Sequence, residues 1–277
     1  MKTLFITFLI FSSSMTYAQQ IKATYAMKVT RNMDFSGNPN MPKQVIERIK
    51  KRLSEPVNYD LFFDQNQSIY KQQQKLDAPQ SGGRGGMWTQ IGGGSQNITH
   101  TNLVTRKQTN QQDLFGKMFL VKKDVKTPEW NFTGESKQIG QYTAYEATYT
   151  EMQNPPQFRM SFGRRGNNDE EKEKEQEKIE VTVSVWFTPD IPISAGPDDY
   201  FGLPGFVLMV QDNNKALVCT EVQMNPKDKI KLTPPKKGDE VTWKEFNEIR
   251  EKKAKEMKDR FQNNSNRDSQ NRIFIRN

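Results

Sequence analysis

The sequence predicts a mainly β protein: a curved antiparallel sheet or half-barrel, with a short helix in the N-terminal half and a C-terminal amphipathic helix. Three observations predict it. Short alternating or wholly apolar runs recur between turn signals, as at 57–64, 142–149, 179–187 and 206–210. The chain has one cysteine, Cys219, so no internal disulfide is possible and a hydrophobic core must hold it together. Gly196, Pro197, Gly202, Pro204 and Gly205 fall close together between two strand-like segments, where they make a shaped corner rather than a flexible link.

The elements follow in order. Lys2, the apolar run Leu4–Phe11 and the small residues ending at Ala18 form a secretory signal pattern over 1–18, with cleavage expected after Ala18. The run is far shorter than the ~20 residues that span a bilayer. Ile21–Val29 alternates and is a first strand. Val45, Ile46, Ile49 and Leu53 recur at helical spacing. Val57–Asp64 and Ser68–Tyr70 make a hairpin, with Tyr59, Leu61 and Phe63 on one face. Asn102–Thr105, Lys117–Val121, Tyr142–Tyr149 and Ile179–Phe187 are further strands, and Trp130–Glu135 leads through Ile139–Tyr142 into the third of these. Phe206–Val210 is apolar on both faces and belongs at a covered position. It pairs with Ala216–Met224 across 211–215.

The β-rich domain accordingly covers 19–224, interrupted near 77–96 by glycine-rich sequence and near 163–178 by mixed charge. A basic, proline-rich linker occupies 225–241. An amphipathic helix covers 242–261, with Thr242 as N-cap and Glu245 three residues on, and a polar tail fills 262–277. Trp243, Phe246, Ile249, Met257 and Phe261 lie on one face of this helix, which docks on the sheet or rests on a membrane. Ile273–Ile275 is suited to a sheet edge.

Lysine and arginine number 41 against 33 acidic residues, a formal charge of +8. A basic exported chain suggests an anionic envelope component as neighbour and gives nucleic acid no role. The lysines from Lys227 to Lys258 supply the attraction.

Catalytic constellations are sparse. A nucleophilic triad needs a basic histidine, and His100 is the one histidine, expected at the surface beside the glycine-rich loop. One His and one Cys do not assemble a zinc site, so no metal or cofactor is expected. Cys219 lies in a strand pattern and reads as a small buried hydrophobe. The adjacent pair Asp198–Asp199 is the carboxylate pair set on a structured turn. It supports either backbone bonding within the turn or acid–base chemistry in a hydrolase.

In the corner itself, Pro204 pushes Leu203 to an extended conformation and Gly205 is expected to supply the positive φ of a type II turn. Tyr200 and Phe201 either plug the core or face outward to bind. Trp186, 189–197 and Tyr200–Leu208, with Tyr59–Phe63, Ser68–Tyr70, Phe119–Val121 and 130–148, resemble the GLPGLI family, exported proteins of uncertain function from Bacteroidetes-type bacteria. Phe206–Val207 replaces the Leu-Ile of the motif, and Ala144 stands where members often carry a cysteine. The resemblance implies an export role and carries over no catalytic residue. The expectation is a non-enzymatic envelope protein, periplasmic or outer-membrane associated, binding an outer-membrane protein or lipid-like ligand. A hydrolase using Asp198 or Asp199 and a self-associating surface component are the alternatives.

Overall fold

The computed structural model describes residues 20–29, 42–73, 97–153, 178–213, 215–227, 232–253 and 255–256. The expected signal segment, both expected insertions except Lys178, the polar tail, and Met257 and Phe261 lie outside these residues. Twelve strands form one sheet: β1 (Gln20–Val29), β2 (Val57–Asp64), β3 (Gln67–Gln72), β4 (Ile98–Asn102), β5 (Lys107–Leu114), β6 (Lys117–Asp124), β7 (Asn131–Ile139), β8 (Tyr142–Gln153), β9 (Ile179–Thr188), β10 (Phe206–Gln211), β11 (Lys215–Met224) and β12 (Asp239–Thr242). Two helices accompany them among the described residues, α1 (Lys43–Ser54) and α2 (residues 243–253).

The strand order is β12-β6-β5-β4-β3-β2-β1-β11-β10-β9-β8-β7. Two antiparallel meanders, β1–β6 and β7–β11, therefore join where β1 pairs with β11. This order forces curvature. β6 and β7 are consecutive in the chain but stand ten strand steps apart in the sheet, or about 48 Å if it were flat. The six connecting residues 125–130 reach about 25 Å at most. The sheet must curl until its two ends approach, which makes it an open, split barrel. The curved antiparallel sheet expected from the sequence is what the chain forms.

Strand alternation sets the inner face. One row across β1–β6 runs Ala23, Leu61, Tyr70, Thr99, Asn110, Val121, and the next runs Ile21, Phe63, Ser68, Thr101, Gln108, Lys123. Both rows begin apolar and turn polar towards β4 and β5. The main core lies at the apolar end, where Tyr25, Leu61, Val183, Val185, Leu203, Phe206 and Leu208 are buried together. The Tyr25 hydroxyl donates to the Val207 carbonyl at 2.6 Å, so even the polar tip of this buried ring is satisfied. β10 is buried at Phe206, Val207, Leu208 and Val210, the two-sided burial its sequence announces.

Several elements differ from the sequence reading. Leu103–Thr105 is a turn, not a strand, because the Asn102 carboxamide oxygen accepts from the N–H groups of Val104 and Thr105 at 3.0 Å each and folds the chain back. β5 is too polar to alternate visibly. It forms because β4 and β6 satisfy its backbone on both sides. β12 takes the last three residues of the expected linker together with Thr242 and pairs parallel with β6 over four residues. Gly238 precedes it at φ +129, with a would-be Cβ 2.7 Å from the Met118 carbonyl carbon, so only glycine allows that approach.

The expected capping box opens α2: Glu245 Oε2 accepts from the Thr242 N–H at 2.7 Å, and Thr242 Oγ1 accepts from the Glu245 N–H at 3.3 Å. The helix docks on the sheet rather than standing free. Phe246, 2% exposed, packs edge-on against Phe119 with ring centres 5.6 Å apart. α1 has no side-chain cap and rests against β1, with Val45 exposed and Ile46 half-buried.

Candidate functional site

The connection between β9 and β10, residues 189–205, crosses the inner side of the split barrel. Short backbone bonds fold it on itself: Tyr200 N–H to Pro197 O at 3.1 Å, Phe201 N–H to Asp199 O at 3.2 Å and Gly205 N–H to Leu203 O at 2.8 Å. Gly196 is buried because Val207 Cγ2 would stand 2.8 Å from any Cβ there. Pro197 is buried beside it, and Leu203 is in the core. Pro204 lies on the exposed side of the corner.

The expected positive φ does not fall at Gly205. It falls at Gly202 (φ +87) and at Asp198 (φ +51). Gly205 is needed for a different reason: a Cβ would strike the Thr188 carbonyl, which the tight return into β10 brings against it. Tyr200 and Phe201 both turn inward and are buried. The placement that would leave these rings free for an outside ligand is therefore not the one adopted.

The connection is tied to both ends of the sheet. Asp199 accepts from Gln108 Nε2 on β5 at 2.6 Å and forms an ion pair with Lys123 on β6. Gln108 Nε2 also donates to Thr101 Oγ1 at 3.1 Å. On the other side, Trp130 Nε1 donates to the Phe201 carbonyl at 3.1 Å, and Tyr149 on β8 lies against Tyr200. Lys123 faces the Trp243 ring at 5.5 Å, which couples α2 to the same point.

Asp198 and Asp199 point to different surroundings. Asp199 is engaged as described. Asp198 is exposed to solvent, yet protein surrounds it closely enough to raise its pKa to about 6: burial of the carboxyl is the main cause, the neighbouring Asp199 adds to it, and Lys123 and Lys215 oppose it. Tyr59, Tyr70, Tyr149 and Tyr200 all lie within electrostatic reach of it, and burial is the main cause that raises each phenol's pKa. Tyr59 and Tyr70 stack with centres 5.0 Å apart.

The sequence reading named the two aspartates and Tyr200 but missed Tyr59, Tyr70, Gln108, Lys123 and Tyr149 as their neighbours. These come from five other strands, and only strand register brings them together. His100 corrects an expectation: it is buried in β4, not on the surface, its Nε2 lies 3.1 Å from Gln67 Oε1, and burial lowers its pKa. Cys219 is half-buried and burial pushes its thiol up to about 12, which keeps it protonated and unreactive. Among the described residues no group of three or more His, Cys, Asp or Glu side chains is placed to hold a metal ion. No helix among them is long and apolar enough to cross a membrane.

Residues 130–209, from Trp130 through β7, β8, β9 and the whole connection into β10, match the model of a family described as a protein of unknown function (Porph_ging). No curated protein matches the chain. Among solved structures, PNGF-II in its C2 form is 11% identical over 84% of this chain and 32% of that one, at a TM-score of 0.47. In its P21 form the values are 12%, 84% and 33%, at 0.46. This chain spans about a third of the length of those proteins.

Proposed function

We propose that this chain is an exported envelope protein of the GLPGLI type. In this reading it works in the periplasm or at the outer membrane, and binds an outer-membrane protein or another anionic or lipid-like component without chemistry of its own. The observation that carries the reading is how the 189–205 connection is built. Asp199 is committed to Gln108 and Lys123, and Tyr200, Phe201 and Leu203 are committed to the interior. A segment so engaged is a brace holding a surface in shape. The family match at 130–209 covers this same segment. The signal pattern at 1–18 and the excess of lysine and arginine support export and an anionic neighbour. The space between β1, β2 and β8–β10 is filled by Tyr25, Leu61, Phe206 and their neighbours, so a lipid-like ligand belongs on an outer surface.

Fractionation of cells tests it. The protein is expected in the envelope fraction at low salt and is released by ~0.5 M salt, because screening weakens a charge-based contact. Recovery in the soluble cytoplasmic fraction, or no retention on envelopes at low salt, overturns the proposal.

One observation favours a second reading, a hydrolase using the two aspartates. Asp198 has its pKa raised to about 6 beside an ion-paired Asp199, and unlike carboxylates side by side can divide the roles of acid and base. Asp198→Asn and Asp199→Asn separate the readings. A catalytic pair loses function with folding intact, whereas a brace loses melting temperature at Asp199.

A further inference from the structure

β7 is the last strand of the sheet and pairs with β8 alone. Its register with β8 shifts between Phe132 and Ser136, which divides the pairing into two short runs. An edge strand held so lightly opens more readily than the strands inside the sheet.

Lys137 supplies a hold that the backbone does not. It stands opposite Ala144 on β8, a residue with little side chain to block the way across. Its ammonium reaches the Trp186 ring on β9, 3.7 Å from the ring centre, and Sδ of Met209 on β10 at 3.4 Å. One side chain thus straps four neighbouring strands together. Trp186 alternates with Val185 and Phe187, which are buried in the main core, so the strap lies on the outer face.

The strap lacks a good acceptor. Among the described residues the Lys137 ammonium hydrogen-bonds to no oxygen. Glu146, the carboxylate that acts on it, is engaged elsewhere: Oε1 accepts from Ser184 Oγ, and Oε2 accepts from Thr133 Oγ1 at 2.9 Å. Burial lowers the Lys137 pKa, so the protein has taken water from the ammonium without fully replacing it. A thioether is a weak acceptor. The oxygen of a sulfoxide is a strong one.

We propose that Met209 is an oxidation site that takes an oxygen atom from a peroxide, and that Lys137 captures the resulting sulfoxide. The sulfur lone pair attacks one peroxide oxygen, and the S–O bond forms as the O–O bond breaks. Sulfur gives up two electrons to the peroxide. The proton of the transferred hydroxyl passes to the departing oxygen, which leaves as water. The new oxygen accepts a charge-assisted hydrogen bond from the Lys137 ammonium. Methionine oxidation ordinarily loosens a protein by setting a polar group among apolar ones; here it tightens the hold on β7. Met209 is half-buried, within reach of a small oxidant. The inference does not rest on the envelope proposal.

Treatment of the full chain with hydrogen peroxide, followed by peptide mapping in a mass spectrometer, reads the sulfoxide at each methionine. Met152 and Met224 are exposed and serve as internal standards. Met209 is expected to oxidise while circular dichroism stays native. Hydrogen exchange of the β7 amides should then slow by on the order of fivefold, the effect of one charge-assisted bond in place of a weak contact. Met209→Leu and Lys137→Met keep the bulk of each side chain, and circular dichroism checks their fold. After the same treatment neither should show the slowing. Three results each overturn the proposal: an unoxidised Met209 in a folded chain whose Met152 and Met224 are oxidised, β7 exchange unchanged or faster after oxidation, or equal slowing in either folded variant.

Discussion

Lys123 and Asp199 form an ion pair between the edge region of one meander and the connection inside the other. Lys123 lies on β6, next to the end of the sheet, and Asp199 leads into β10, seven strand steps away in the sheet. The pair thus fixes the curl of the barrel rather than any one strand pairing.

Breaking it should loosen that curl by a modest amount. The side chains are 25% and 38% exposed, so water screens their attraction and a coupling of about 0.5–1 kcal/mol is expected, not the larger figure of a dry pair. A double-mutant cycle with Lys123→Met and Asp199→Asn, read from urea midpoints, measures it. Asn keeps an oxygen for Gln108 to donate to, so the cycle isolates the charge. The coupling should shrink at high salt. A coupling of zero at low salt means the connection is held by its buried rings alone.

Two glycines of the corner should respond differently to alanine. At Gly205 the obstacle is the Thr188 backbone carbonyl, which cannot turn aside, so Gly205→Ala is expected to cost about 3 kcal/mol. At Gly202 the cost is about 1–2 kcal/mol for a positive φ, plus contact with the Thr127 γ-methyl. Thr127→Ser removes that methyl and should recover part of the stability of Gly202→Ala. No single partner change should rescue Gly205→Ala. Thermal melts of the four variants decide the matter.

The difference between what the sequence showed and what it hid follows from how the information is carried. β2, β9 and β10 announce themselves because their apolar faces alternate or run together, and burial demands that pattern. The α2 capping box is legible because its two bonds span three residues. β5 stays hidden because Gln108 and Gln111 are buried polar groups, and Gln108 finds its partners on β4 and the 189–205 connection. The surroundings of Asp198 are hidden for the same reason. Tyr59, Tyr70 and Tyr149 are spread over 91 positions of sequence, and nothing local says that β2, β3 and β8 bring them within electrostatic reach of Asp198. The positive φ at Gly202 instead of Gly205 is a smaller case: both sit in one Gly-Pro cluster, and only the path of the chain past Thr127 and Thr188 tells them apart.

The titration of Asp198 should leave a mark on stability that runs opposite to most carboxylates. Its pKa is raised to about 6 in the folded chain, above its unfolded value, so between about pH 4 and 6 the folded state binds more protons than the unfolded one. The stabilisation from this group is therefore fully present below its unfolded pKa and is lost as pH rises through about 6. At pH 7 the ionised carboxylate is a liability of about 1 kcal/mol, taking the solvent exposure of the residue into account. Asp198→Asn removes the charge and should raise the unfolding free energy at pH 7 by about that amount, with no gain at pH 4. Urea denaturation of both proteins at the two pH values measures the difference.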